Sequence, residues 1–487
     1  MDAAEVAKHN GMQSCWIVVN SKVYDVTSFV DEHPGGPSLI LKYAGADASE
    51  AFNEVHTQQT LDEHMTQGQC LGKLTGNPSA LAQPKKSTTG NTGSENEIPP
   101  IVSMVMTHDF EPVAKALLSD RAFTYVHSFS SLEDRINSYH RTWSSLSFRP
   151  RVMRNVEHVN STRCMLSHQS RFPFFIAPMG LAGSMHSDAE RVVARGAAQK
   201  ATHYCVSTSA TLTHDVIMES FRTAQAESNM RDRSQLFLQL YVNSNQKITQ
   251  DFLRRARALG YKGLFITVDT HILGKRIQDR RLQSRELIEA GITERPVGNL
   301  VSDGKDGKAK DGRPQTGGRS RPGVISQALN WDDLKWIRKE WDGPIVLKGI
   351  QSAADAKMAY DTGCQGIYLS NHGGRQLQDA PSSLETLLEI RSMAPEILGR
   401  MEIYCDGSFR TGADILKALC LGATSVAVGR PFMYAAAVYG VKGIERVIDI
   451  LADEIEITMK LLGVTDLKQL SPDLVRVPHE LRMSSRL

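Results

Sequence analysis

From about residue 101 onward the chain alternates short apolar runs with helix-length segments, and this alternation restricts the fold more than any other feature of the sequence. Strand-sized apolar runs lie at 173–180, 204–210, 237–242, 263–270, 344–350, 366–371, 401–407 and 425–431. Helical stretches such as 189–200, 248–259, 353–361 and 412–421 fall between them. Repeated βα units of this kind build parallel sheets. Eight of them predict an α/β fold, a closed (β/α)8 TIM barrel whose active site lies at the C-terminal ends of the strands.

The polar residues at those strand ends can therefore be collected as one rim. They are Ser207, Gln239, Tyr241, Thr267, Asp269, Lys348, Ser370, His372, Arg375, Asp406, Arg410, Gly429 and Arg430. Lysine, histidine, aspartate and several arginines on one face form an expensive cluster unless they bind an anionic ligand. Within the rim, Ser370-Asn371-His372-Gly373-Gly374-Arg375 places a titratable imidazole beside a fixed guanidinium. An imidazole takes a proton near neutral pH and a planar arginine fork holds a carboxylate by two hydrogen bonds, so the pair suits chemistry next to a carboxyl group. Taken alone, the hexapeptide is also compatible with an ordinary surface loop.

Residues 1–74 read as a separate unit. Trp16-Ile17-Val18-Val19 and Lys22-Val23-Tyr24-Asp25-Val26 alternate like a hairpin across Asn20-Ser21, and His33-Pro34-Gly35-Gly36 precedes a helix-like run at 37–45. His56 follows another helical segment. Two imidazoles on opposing helices would clamp one metal centre, and two ordinary histidines, one in a turn and one on a solvated helix, give the same spacing. The hairpin, the His-Pro-Gly-Gly turn and the second histidine resemble the cytochrome b5 family. That resemblance implies an α+β haem-binding domain in which His33 and His56 ligate a six-coordinate haem b dedicated to electron transfer; His64 ranks below His56 as a ligand. Residues 75–100 are polar, lack an apolar period and read as a flexible linker.

The barrel segment, residues 101–465, resembles the FMN-dependent 2-hydroxy-acid oxidase and dehydrogenase family. The motifs that carry the resemblance are Gln-Leu-Tyr at 239–241, Thr-Val-Asp-Thr at 267–270, Leu-Gly-Lys-Arg at 273–276, Leu-Lys-Gly at 347–349, Ser-Asn-His-Gly-Gly-Arg at 370–375 and Asp-Gly-Ser-Phe-Arg at 406–410. With the haem module in front, the arrangement is similar to the flavocytochrome b2 family. The resemblance implies that His372 takes a proton from the substrate: the hydroxyl proton if hydride leaves, or the α-hydrogen if a carbanion forms. It implies that Asp269 raises the imidazole pKa, and that Arg375 and Arg276 bind the substrate carboxylate with help from Tyr125 and Tyr241. Lys348 would stabilise the reduced flavin at its N1–O2 edge. Ala177, Pro178, Met179, Ser207, Gln239, Thr267 and Ser370 would line the flavin, while Asp406, Gly407, Arg410, Gly429 and Arg430 would contact ribityl and phosphate.

Three departures bear on the substrate. The entry segment Phe123-Thr124-Tyr125-Val126-His127-Ser128-Phe129 differs from the family's Tyr-Tyr and small residues, Gly180 stands where small-acid enzymes carry alanine, and Ser209 stands where relatives have tryptophan or leucine. The last two remove volume beside the substrate side chain, so aromatic or longer 2-hydroxy acids are expected to be accepted at least as well as lactate. A long insertion at 277–330 reads as a mobile lid or a disordered loop. The tail at 466–487 would wrap a neighbour in a homotetramer by resemblance.

Composition narrows the partners. Lys plus Arg number 56 against 54 Asp plus Glu, for a net charge of +2, which argues against nucleic acid and membrane surfaces. Seven cysteines without a C-x-x-C pair predict reduced thiols and no disulfide framework. The start of the sequence shows no presequence of the kind that would direct it to the mitochondrial intermembrane space. The C-terminal Ser485-Arg486-Leu487 is a conservative variant of a peroxisomal address, so peroxisome and cytoplasm are both expected compartments. Three function classes follow: a dehydrogenase passing electrons from FMN through haem to an acceptor such as cytochrome c, an oxidase reducing oxygen to peroxide, and a non-catalytic electron-transfer protein.

Overall fold

In the computed structural model the eight expected strands form one closed barrel, each paired in parallel with its sequence neighbours and the last with the first. They are Phe174–Ile176 (β1), Tyr204–Ser207 (β2), Leu236–Leu240 (β3), Leu264–Thr267 (β4), Ile345–Ile350 (β5), Gly366–Leu369 (β6), Glu402–Cys405 (β7) and Ser425–Val428 (β8). The structure describes residues 1–31, 33, 37–57, 61, 65, 68–84, 98–131, 133–228, 233–292, 325–479 and 481. Most strands stop short of the apolar runs that announced them. Beyond the last ladder bond the chain turns into the barrel mouth, where polar residues such as Asp269, Ser370 and Asp406 follow the strands.

The barrel interior is built in layers, because alternate residues of a strand face the same way. Phe175, Cys205, Phe237, Phe265, Val346, Tyr368, Tyr404 and Ala427 form one buried cluster together with Met165 and Leu166. The latter two come from the hairpin Arg163–Met165/His168–Ser170. The Leu166 amide donates to both carboxylate oxygens of Glu402 at 3.0 Å, and the Tyr404 hydroxyl donates to the same group. Two residues beyond each strand member of that layer stand Ala177, Ser207, Gln239, Thr267, Lys348, Ser370, Asp406 and Gly429. Pleat periodicity alone thus stacks a mostly polar layer on an aromatic one.

The surrounding helices follow from local chemistry. Ser382 and Thr411 make capping boxes with Glu385 and Asp414 at the starts of Ser383–Met393 and Gly412–Cys420. Ser352 caps Ala353–Asp361. The residues Ile277–Glu289, expected as the start of a lid, are helical, with Leu282 and Leu287 buried; the middle of that insertion, 303–312, lies outside the described residues. Part of the tail is tied to its own chain: Val475–Arg476 pairs antiparallel with Ser147–Phe148, and Leu467, Leu474 and Val475 are buried.

The chain divides into two compact units, and the helix from Gln278 groups with the N-terminal one. That unit contains a four-stranded antiparallel sheet of Asn10–Gly11, Ser14–Val19, Lys22–Asp25 and Cys70–Lys73. Its central hairpin turns on Asn20 and Ser21, with φ of 50° and 63°, the left-handed pair that matches strand twist. Five cysteines, Cys15, Cys205, Cys364, Cys405 and Cys420, are buried as free thiols. Among the described residues no helix is long and apolar enough to cross a membrane.

Phe265, fully buried, has its ring centroid 5.6 Å from those of Phe237 and Tyr404 and 6.1 Å from those of Phe175 and Tyr368. Phe265→Ala is expected to destabilise the barrel by about 3–5 kcal/mol, read as a lowered denaturant midpoint for flavin release. A midpoint unchanged from wild type would show that the ring cluster does not hold the barrel together.

Candidate active site and haem ligands

The turn after β6 aims the central histidine. His372, Gly373 and Gly374 have φ of 59°, 63° and 76°, so three consecutive residues take the left-handed conformation. The glycines adopt it freely, whereas for His372 it costs about 1–2 kcal/mol. Hydrogen bonds offset that strain: the His372 amide donates to Ser370 Oγ at 3.0 Å, the Gly374 amide to Asn371 Oδ1 at 3.1 Å, and Arg430 Nη2 to the Gly373 carbonyl at 2.8 Å.

So placed, His372 Nδ1 lies 3.1 and 3.3 Å from the two oxygens of Asp269, whose side chain is 2 % exposed. A carboxylate at Nδ1 fixes the proton there and leaves Nε2 as the basic nitrogen. Nε2 faces the Tyr241 hydroxyl at 3.3 Å. Burial alone would raise the Asp269 pKa, but His372 and Lys348 hold it at about 2. The imidazole moves the other way from the sequence-based expectation. Burial pulls its pKa down, Asp269 opposes that shift, and Lys348 and Arg276 add to it, so the net direction is downward. That direction favours the neutral imidazole.

The two expected carboxylate-binding arginines flank one tyrosine: the guanidinium carbons of Arg375 and Arg276 lie 5.2 and 5.9 Å from the Tyr125 ring centroid. Arg375 Nη1 is steadied by the carbonyls of Val126 and Ser128 at 3.0 and 3.1 Å. Among the described residues Arg276 Nε is buried without a hydrogen-bond partner. Gly180 and Ser209 are neighbours, but they contribute differently. A Cβ on Gly180 would come within 3.1 Å of Ser209 Cβ and 3.2 Å of its carbonyl oxygen, so Gly180 lets the β2 loop approach, and the missing bulk is that of Ser209.

The polar layer beneath fits a flavin. Ser207 Oγ donates to Gln239 Oε1 at 2.9 Å, and Gln239 Nε2 donates to Thr267 Oγ1 at 2.9 Å, giving a buried polar arc across three strands. Lys348, 4 % exposed, reaches Ser370 Oγ at 3.0 Å but stands 3.8 Å from Asp406 Oδ2. Among the described residues Asp406 Oδ1 and Arg410 Nη1 are buried without a hydrogen-bond partner, although Glu111 Oε2 lies 3.5 Å from the latter. A buried cation this loosely compensated favours an anionic ring, and the unused donor of Arg410 favours a phosphate. Ala177 and Gly429 leave the layer free of bulk, Pro178 and Met179 continue from β1, and Gly407, with φ of 86°, turns the β7 loop. The helix Arg430–Leu462, which breaks at Gly440, starts at this layer and brings the positive end of its dipole to it. The Arg430 side chain itself serves the protein: it bonds the carbonyls of Val126 and Gly373, lies 4.2 Å from the Phe129 ring, and burial brings its pKa to about 10.

Sequence reasoning missed Glu111, which bonds His127 Nδ1 at 3.0 Å and approaches Arg410. Burial would raise its pKa, but His127 and Arg410 bring it to about 2. Its distance from the rim in sequence left no local signal. Gln376 was missed as well, although it directly follows the rim hexapeptide.

In the N-terminal unit, His33 and His56 have ring centroids 6.1 Å apart, with an interplanar angle of 62°. His56 stacks on Phe52 and His33 meets the edge of Phe29. The gap accommodates one metal ion bonded at about 2.0 Å to a nitrogen of each ring, which fits a haem iron held from both sides. Among the described residues no third metal-binding group joins them; His64 and the Pro34-Gly35-Gly36 turn lie outside those residues.

Comparison with known proteins agrees with both halves. The cytochrome b5-like heme/steroid binding domain family matches residues 2–75 and the FMN-dependent dehydrogenase family residues 114–477. An L-lactate dehydrogenase (cytochrome) of Wickerhamomyces anomalus is 34% identical over 96% of this chain and 78% of its own length. An L-lactate oxidase of a Nostoc species is 33% identical over 76% of this chain and 97% of its own. A solved mutant flavocytochrome b2 with benzoylformate, 32% identical, superposes with a TM-score of 0.67 over 80% of this chain and 90% of that one. The chain belongs to the FMN-dependent dehydrogenase family, in the branch that joins a cytochrome b5-like haem domain to the flavin-binding barrel.

Proposed function

We propose that this enzyme oxidises L-2-hydroxy acids with side chains larger than that of lactate, that His372 is the base, and that Arg276 and Arg375 grip the carboxylate. The observation that carries the reading is the His372–Asp269 contact at 3.1 Å in the same mouth as those two arginines. When bound, FMN takes two electrons from the hydroxy acid and haem relays them singly to an acceptor such as cytochrome c. The protein supplies the rest. The arginines and Tyr125 orient the carboxylate, Nε2 of His372 removes a proton, and Asp269 stabilises the imidazolium that results. Lys348 and the Ser207–Gln239–Thr267 arc would hold the flavin ring, and Asp406, Gly407, Arg410 and the Gly429-Arg430 backbone would hold ribityl and phosphate. His33 and His56 would ligate the haem iron. The benzoylformate held by the mutant flavocytochrome b2 supports an aromatic substrate here, because Ser209 removes bulk beside the substrate.

The 33% identity to an L-lactate oxidase of a Nostoc species favours a second reading as an oxidase that passes electrons to oxygen. Anaerobic stopped-flow with a hydroxy acid separates the two. The first reading expects haem reduction to follow flavin reduction, and His56→Ala to abolish the haem phase while keeping the flavin phase. Rapid peroxide formation on admitting air, with slow haem reduction, would sink it.

Steady-state rates with lactate, 2-hydroxyoctanoate, mandelate and phenyllactate should give kcat/KM for the larger acids at least equal to that for lactate. Ser209→Leu should lower kcat/KM for mandelate by about tenfold or more relative to lactate. A clear wild-type preference for lactate contradicts the proposal.

The pH profile has a defined sign. The base must be neutral, and its pKa lies below the ordinary histidine value of about 6.5, so kcat/KM should be full at neutral pH and fall as pH drops through that lowered pKa. Asp269→Asn removes the group that raises this pKa, so the acid limb should move to still lower pH while kcat falls about a hundredfold. An acid limb that stayed in place, or moved up, would contradict the assignment of His372 as the base paired with Asp269.

A further inference from the structure

The loop after β4 carries Asp269 and Arg276, and the loop after β6 carries His372 and Arg375. Besides the His372–Asp269 pair, the Gln376 side chain joins them. Gln376 is 6 % exposed and commits its whole amide to the other loop: Nε2 donates to the carbonyls of Asp269 at 3.0 Å and Ile272 at 2.8 Å, and Oε1 accepts from the Gly274 amide at 3.0 Å. A primary amide has two N–H protons and one carbonyl, so no donor remains for a substrate. The backbone partners also fix which end is nitrogen, because carbonyls only accept and the Gly274 N–H only donates.

Gly274 makes the junction tighter. A Cβ there would lie 2.4 Å from the Arg375 carbonyl oxygen, 2.6 Å from that of Gln376 and 2.7 Å from Gln376 Cα, so the two backbones touch where only glycine fits. Arg276 stands two residues on, its amide donating back to the Gly274 carbonyl at 3.0 Å.

We propose that Gln376 is a positioning residue that, with Gly274, sets the separation of Arg276 from Arg375 and keeps Asp269 against His372. The proposal rests on the reading of those two arginines as the carboxylate grip. Removing the amide strands buried carbonyls and an N–H without partners, and the β4 loop must shift to find new ones. A displaced Arg276 weakens the hold on the carboxylate in ground and transition states alike, so KM rises more than kcat falls.

The test uses full-length, flavin- and haem-loaded enzyme and the variants Gln376→Leu, Gly274→Ala, Arg276→Ala and the double variant Gln376→Leu/Arg276→Ala. Gln376→Leu is expected to raise KM for the hydroxy acid, and the inhibition constant of the 2-oxo acid product, roughly tenfold. The double variant should be no worse than Arg276→Ala alone, because the effect runs through Arg276. Gly274→Ala should reproduce the rise, and it carries the comparison by itself if Gln376→Leu fails to retain FMN. A lowered Tm with wild-type KM, product inhibition and acid limb would mark a merely structural residue and overturn the proposal, as would full additivity with Arg276→Ala. If Arg276→Ala itself left KM and product inhibition unchanged, the carboxylate-grip reading would fall, and with it the route through Arg276. That outcome is distinct from an Arg276→Ala defect that Gln376→Leu does not share.

Discussion

A carboxylate with 2 % exposure stands at the mouth of the barrel, and the active-site geometry turns on how it is compensated. Asp269 is stable there because an imidazole faces it at 3.1 Å, Thr270 Oγ1 donates to it at 2.9 Å and Lys348 lies within its electrostatic reach. A buried charge without such partners would take up a proton instead. The pairing also ties the end of β4 to the end of β6 across the intervening β5. It explains why His372 accepts a left-handed backbone: the strained φ is what brings Nδ1 to Asp269, and the surrounding hydrogen bonds keep it there.

Burial reverses one simple expectation. A carboxylate partner raises an imidazole pKa, and from sequence that is the only effect in view. In the folded site the same imidazole is also desolvated and surrounded by Lys348 and Arg276, and these outweigh Asp269. The outcome is an imidazole whose neutral form is favoured and which is oriented by a charged partner. Its tautomer and direction come from Asp269, and its readiness from the cations and the dry surroundings.

Much of this was legible because parallel strands repeat with period two. The apolar runs located all eight strands, and counting two residues past the aromatic layer arrives at Ala177, Ser207, Gln239, Thr267, Lys348, Ser370, Asp406 and Gly429. The hairpin at Asn20-Ser21 was legible for a similarly local reason, a short turn between alternating runs. Contacts between distant segments were not. Nothing near Glu111 announces His127 and Arg410, and nothing about Gln376 reveals that its amide is spent on residues a hundred positions earlier. The helix Ile277–Glu289 was read as loop because its polar composition and weak periodicity hide the few positions, such as Leu282 and Leu287, that are buried. Gly180 was read as lost pocket volume, and the fold adds that a Cβ there would press on Ser209, 3.1 Å from its Cβ.

The protein's own charges leave the polar layer unfinished in a way that separates its two ends. Lys348 has a hydroxyl partner but only a distant carboxylate, so the end it marks favours added negative charge in a flat ring. At the other end Arg430 is committed to the carbonyls of Val126 and Gly373, which leaves Arg410 and the positive end of the last helix as what a phosphate would meet. Arg430 thereby acts as a brace: it holds the Val126 carbonyl, which also receives Arg375, and the Gly373 carbonyl beside His372. One buried guanidinium couples the phosphate end of the layer to both residues that would meet the substrate, so geometry at the mouth depends on packing at the far side of the cofactor layer.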